Sequence, residues 1–220
     1  MDVRSLRDEH ESVCRFCSVL TRAGNDYDSP WLAEDSYKAI VSVGALVPGW
    51  TLVCPVDHSL NLLGHYRRSG FWDFASTAAN VVQRRYGSCA FFEHGANQDG
   101  SLTGCGVGHA HGHIVPLAFS LEDEVHRTAP ELNWKRCRAT DIATIANGKE
   151  YLFVASVYGG PETLGSLCVL ESPISQFVRR VIACRLGVGD LYDYNKYPML
   201  EIVRATAREL REDADALVRV

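Results

Sequence analysis

The sequence predicts an α+β fold, helices packed on an antiparallel or mixed sheet. Three observations carry this: short runs rich in β-branched and aromatic residues, apolar stripes repeating near 3.6 residues, and their order along the chain. That order is strand–strand–helix–strand–strand, then two strands and two helices, with no internal repeat or low-complexity segment. At 220 residues the chain suits one large domain or one domain with an extension.

Residues 1–13 form a polar lead-in with room for a short helix, and residues 22–36, rich in Gly, Asn, Asp, Ser and Pro, read as loop. Residues 36–43 and 50–55 have strand composition and flank the turn dipeptide Pro48-Gly49, a hairpin-like pair. Apolar positions 71, 74, 75, 78, 81, 82 and 86 predict a helix, N-capped by Ser69 and stopped by Gly87. Residues 88–95 read as a third strand ending in a turn, and residues 96–103 as a polar loop. Residues 118–148 carry no clear period. Strands follow over 150–158 and 166–170. Ser172-Pro173 offers an N-cap with proline at the first helical position, opening a helix stopped by Gly187. Residues 198–218 form the last helix, with Met199, Val203, Leu210, Ala214 and Leu217 on one stripe. No linker composition separates residues 117–220 from what precedes them.

The formal net charge of −5 argues against general nucleic-acid binding and against a membrane-surface role. No apolar run approaches membrane-spanning length, and the charged N-terminus lacks a signal-peptide core, so a cytoplasmic location is expected. The eight cysteines are then expected as thiols or metal ligands rather than disulfides. Six are scattered singly, and most of them read as small buried hydrophobes. Cys14 and Cys17 form a C-x-x-C pair, whose spacing suits two thiolates on one zinc or a redox pair, although no thioredoxin-like βαβ pattern surrounds it.

The most informative stretch is residues 104–116, Gly-Cys-Gly-Val-Gly-His-Ala-His-Gly-His-Ile-Val-Pro. His109, His111 and His113 alternate with small residues, which has the period of a strand and puts three imidazoles on one face. Such a row makes sense as metal ligands, as a nucleophile, or as donors to an anion. The glycine-rich lead-in lets backbone N–H groups approach a phosphate closely.

His109-Ala110-His111-Gly112-His113-Ile114-Val115 resembles the His-φ-His-φ-His-φ-φ signature of the histidine triad superfamily, with small residues at two φ positions. Cys14-x-x-Cys17 and Pro55-x-x-His58 resemble its zinc-bearing members. The run from Phe92-Glu93 through Gly104-Cys105-Gly106 looks like the galactose-1-phosphate uridylyltransferase branch. The resemblance spans about residues 14–116 and is loose beyond. It implies a triad-like catalytic core with a zinc site over residues 1–116, and a C-terminal α/β extension of the same domain over residues 117–220.

By this resemblance Cys14, Cys17, His58 and His109 would hold a structural zinc. His111 would attack the α-phosphorus of a nucleotide, and His113 would meet the phosphoryl or bridging oxygens. Gly104, Cys105 and Gly106, with Ser101, would cradle the phosphate through backbone N–H groups. The uridylyltransferases carry Gln at the third histidine position, whereas His113 matches the hydrolase branches. The implied function is hydrolysis of a nucleotidyl bond: a phosphoanhydride, a phosphoramidate or a nucleotide sugar. The alternatives are a nucleotidyltransferase or phosphorylase using the same intermediate, and a non-catalytic nucleotide-binding protein. The implied partner is a nucleotide or nucleotide conjugate, and the smaller superfamily members add the expectation of a homodimer joined edge to edge. Three features depart from the pattern. Ser42-Val43 stands where a ribose-binding acidic residue is usual, Trp50 where a smaller residue is usual, and Glu93-His94-Gly95 where asparagine is common. His94 reads as a substrate contact or a solvated turn residue. The pairs Arg67-Arg68, Arg84-Arg85 and Arg179-Arg180 have the reach to meet a phosphate but read as surface charge, as does the Arg208–Glu212 helix face.

Overall fold

The computed structural model describes residues 14–21, 27–104, 107–155 and 160–218. The predicted lead-in over residues 1–13 lies outside them. The chain runs α1 (Arg15–Thr21), β1 (Leu32–Ala33), β2 (Tyr37–Val41), β3 (Thr51–Pro55), α2 (Ser69–Tyr86), β4 (Cys89–Gly95) and β5 (Gly112–Pro116). It continues through α3 (Leu121–Thr128), β6 (Trp134–Arg138), α4 (Ile142–Ala146), β7 (Tyr151–Ala155), β8 (Leu164–Val169), α5 (Phe177–Arg185) and α6 (Leu200–Val218). The strands form one eight-stranded sheet in the order β1-β2-β3-β5-β4-β7-β8-β6, antiparallel at every pairing. No helix is long and apolar enough to cross a membrane among the described residues.

β2 and β3 are apolar almost throughout because both of their faces are covered. Ala39, Val41 and Val53 join the main core under α2, which buries Phe71, Trp72, Phe74, Ala75, Ala78, Val81 and Val82. Ile40, Leu52 and Cys54 point the other way, into a smaller cluster with Phe16 and Leu20 of α1. The register places Leu52 and Phe92 on either side of His113. The histidines therefore lie on the α1 face, and α2 stiffens the sheet from behind. Gly112 makes this possible: a Cβ there would sit 2.5 Å from the Phe91 ring on the α2 face.

β7 pairs with β4 over five residues, so the C-terminal strands continue the sheet that carries the histidines. Its outer strands among the described residues are β1, two residues long, and β6, which bears Lys135, Arg136 and Arg138. Short or charged edge strands discourage pairing between copies. β6 was hidden in residues 118–148 because its charges break the apolar alternation and only Cys137 is buried. α3 had a readable start, since the Ser120 hydroxyl accepts from the backbone N–H of Asp123 at 3.2 Å.

Three predicted boundaries move. The strand over the histidines begins only at Gly112, so His109 and His111 lie in extended chain leading into it. α2 starts at Ser69 itself, after Arg68, without a side-chain cap. α5 starts at Phe177 rather than after Ser172-Pro173, behind Gln176 in the left-handed region (φ 51°). The backbone N–H of Ile174 is drawn instead to the Thr103 hydroxyl at 3.3 Å, a tertiary bond that outcompetes the local helix signal.

Behind β4, Glu93 is 1 % exposed and accepts from Tyr66 Oη (2.5 Å), Tyr151 Oη (2.6 Å) and the Leu62 N–H (2.6 Å). Burial outweighs these three donors and pushes the carboxyl up to about 7. The folded state then binds a proton that the unfolded state has released, so this group's contribution to stability falls as pH rises from about 4.5 to about 7. The expected loss is about 3 kcal/mol across that window. In urea titrations between pH 4.5 and 8, Glu93→Gln should flatten this component of the curve; a curve parallel to wild type contradicts it.

Candidate functional site

Four metal-ligating side chains converge where α1 meets the histidine segment. Cys14, Cys17, His58 and His109 each present a ligand atom, and all four lie within 4.8 Å of one another. Cys14 Sγ is 3.6 Å from His109 Nδ1, and Cys17 Sγ is 3.3 Å from His58 Nδ1 and 3.5 Å from His109 Nδ1. A tetrahedral ion with ordinary metal–sulfur and metal–nitrogen bonds separates S and N by about 3.6 Å. His109 Nε2 lies 2.9 Å from the Pro55 carbonyl, which can only accept, so this nitrogen carries the proton and Nδ1 offers its lone pair to the cluster. Burial holds His109 down at about 4, keeping the ring neutral as a ligand must be. The four residues could hold a metal ion.

The same residue orients the next histidine. The His109 carbonyl accepts from His111 Nδ1 at 2.8 Å, which places the proton on Nδ1 and leaves Nε2 unprotonated. Burial, opposed by that hydrogen bond, lowers the His111 pKa, and the positive charge of Arg179 adds to the lowering. The ring is buried and packs edge-on against Phe16, with His113 at 4.9 Å between centroids. His113 is stacked on Phe92 (4.1 Å, 7°), and its Nδ1 accepts from the indole N–H of Trp50 at 3.0 Å.

His111 and His113 line a narrow cavity of about 50 Å³ together with Arg15, Phe16, Asp28, Ser42, Val107, Arg179 and Tyr194, among others. Asp28 is ion-paired with Arg15 at 2.7 Å. Ser42 and Val43, which stand where the resemblance would put an acidic residue, both line the cavity. Of the residues expected to cradle phosphate, Ser101 and Gly104 are buried but do not line the cavity, and the Ser101 hydroxyl accepts from the Thr103 N–H at 3.1 Å. Cys105 and Gly106 lie outside the described residues. Among the described residues of this loop, Val107 reaches the cavity wall. A larger groove of about 720 Å³ lies along β8 and α4 but is lined by none of Cys14, Cys17, His58, His109, His111 and His113.

Arg179 is the residue that sequence reasoning missed. It is 2 % exposed, not surface charge. Its guanidinium donates to the Tyr192 carbonyl at 3.1 Å and to the Gly44 carbonyl, and lies over the Trp50 ring at 4.7 Å. The signal lay in the breadth of the apolar stripe: Phe177, Val178, Val181, Ile182 and Ala183 are all buried, an arc wide enough to turn position 179 inward. His94 is likewise no solvated turn residue. It is buried, and its Nε2 accepts from the Val178 N–H at 3.3 Å, so β4 caps the start of α5; burial holds this ring down at about 3. Trp50, marked as a departure, is fully buried between His113 and Arg179. Comparison with protein-family models gives no match, and comparison with curated proteins gives none.

Proposed function

We propose that the protein cleaves a nucleotidyl bond through a covalent intermediate on His111. The observation that carries this reading is the 2.8 Å bond from His111 Nδ1–H to the His109 carbonyl, which leaves an unprotonated Nε2 on a buried ring lining the cavity. Nε2 attacks the α-phosphorus, a P–N bond forms, and the bond to the leaving group breaks with its electron pair. The ring becomes cationic while Nδ1–H stays bonded to the carbonyl, which stabilises that charge. Water then attacks phosphorus and gives up a proton to solvent, the P–N bond breaks with its electron pair returning to Nε2, and a nucleoside monophosphate is released. The cavity of about 50 Å³ would receive the phosphoryl group beside His111, with the nucleoside extending beyond it.

The metal is zinc in this reading, because two thiolates and two imidazoles at tetrahedral separations suit a closed structural site. It would supply a cross-link between α1, the segment after β3 and His109. Hydrolysis is tested with a panel of dinucleoside polyphosphates, nucleoside phosphoramidates and nucleotide sugars, each with and without inorganic phosphate or a sugar phosphate as acceptor. Release of a monophosphate without acceptor supports it. Turnover that requires the acceptor assigns the protein as a transferase, and equal inactivity of wild type and His111→Ala refutes the enzymatic reading.

Arg179 supplies cationic charge beside two neutral histidines, so it compensates the charge of the bound phosphoryl group. Arg179→Met should raise KM about 10–100-fold, the worth of hydrogen bonds to a charged group. Steady-state kinetics over a range of salt concentrations checks this, because the variant should also lose part of the salt dependence.

A further inference from the structure

His113 carries a buried ring nitrogen whose bonding is incomplete. Its Nε2 is buried and has no hydrogen-bond partner among the described residues, on a ring only 4 % exposed that lines the cavity beside His111. The other nitrogen is committed. An indole N–H can only donate, so the 3.0 Å contact from Trp50 requires a lone pair on His113 Nδ1. Burial first, then the charges of His111, His94 and Arg179, holds this ring well below the usual histidine range, so it carries a single proton. That proton must be on Nε2. Stacking on Phe92 fixes the ring plane, and Arg179 over the indole fixes the donor.

We propose that Trp50 is a positioning residue that locks His113 in the tautomer with its proton on Nε2, so that His113 donates a hydrogen bond to an oxygen of the bound anion and keeps that proton throughout turnover. A buried N–H without an acceptor costs about 1–3 kcal/mol, and an anionic oxygen in the cavity removes that cost. Acting as a general acid would require the imidazolium, and its second proton has no place on Nδ1, whose lone pair accepts from the indole N–H. His113 therefore resembles an amide donor in its chemistry, stabilising charge without exchanging protons. The identity of the acceptor rests on the phosphoryl-binding reading above; the lock itself does not.

The lock is read without substrate. In the full-length protein with ¹⁵N-labelled histidine, two-bond proton–nitrogen spectra should show His113 as one tautomer, Nε2 protonated and Nδ1 not, assigned by its loss in His113→Gln. Trp50→Phe should convert this pattern to an average of the two tautomers. A wild-type ring protonated on Nδ1, or a pattern unchanged in Trp50→Phe, overturns the lock. Addition of inorganic phosphate or AMP should shift the Nε2 proton; an intact lock with no shift from either overturns the donor role. If the Trp50 variant does not fold, the wild-type tautomer still decides. With a substrate in hand, His113→Gln should stay within about tenfold of wild type while His113→Ala loses about 10²-fold or more, as for a single lost oxyanion donor. Equal losses overturn the donor role. If no substrate turns over, the enzymatic reading fails while the spectra still decide the lock.

Discussion

On the proposed reading, His111→Ala should lower turnover of a nucleotide substrate by at least about 10³-fold, because it removes the atom proposed to bond to phosphorus. The loss should fall in kcat more than in KM, since Arg179 and His113 still line the cavity. Rapid quenching of wild type with an α-³²P-labelled substrate should leave label on the protein through an acid-labile, base-stable bond, as expected for a phosphoramidate. The variant should carry none. Equal labelling of the two proteins would place the nucleophile elsewhere.

The second large effect is expected at the metal. Wild-type protein should contain about one zinc per chain, and Cys14→Ser/Cys17→Ser should contain none. Losing a structural site of this kind should cost about 5 kcal/mol or more, at the upper end for single-site lesions. For a chain of this size that corresponds to a fall in Tm of about 10–20 °C. Metal analysis with thermal unfolding checks both, and an unchanged zinc content in the double variant refutes the site. The effect should reach the chemistry through one residue. His109 turns its ring into the cluster while its carbonyl holds His111 Nδ1–H. A loosened His109 therefore frees the tautomer of His111, and kcat should fall even where the variant stays folded.

The elements with strong local signals could be read from the chain. α2 has both a 3.6-residue stripe and Gly87 at φ 92°, and the pair β2–β3 is two apolar runs about a turn at Gly49, φ 84°. The four residues of the candidate metal site were implied by a resemblance of their motifs, not by spacing alone, and they converge across sequence separations of up to 95 residues. β6 and the start of α5 could not be read. β6 is an edge strand whose charges break the apolar alternation, and the start of α5 is set by bonds to Thr103 and His94, distant in the chain.

The chain by itself determined which residues could carry chemistry: the C-x-x-C pair, His58, and three alternating histidines. Only the tertiary structure decided what each nitrogen can do. Tautomers are set by the partner of the opposite ring nitrogen, and those partners are the Pro55 carbonyl for His109, the His109 carbonyl for His111 and the Trp50 indole for His113. Two of the three come from β3 or the residue just before it, more than 50 positions away. Arg179 is further still, delivered by α5. Spacing in a sequence can gather ligands, but the proton on an imidazole answers to whatever the fold presses against its far side.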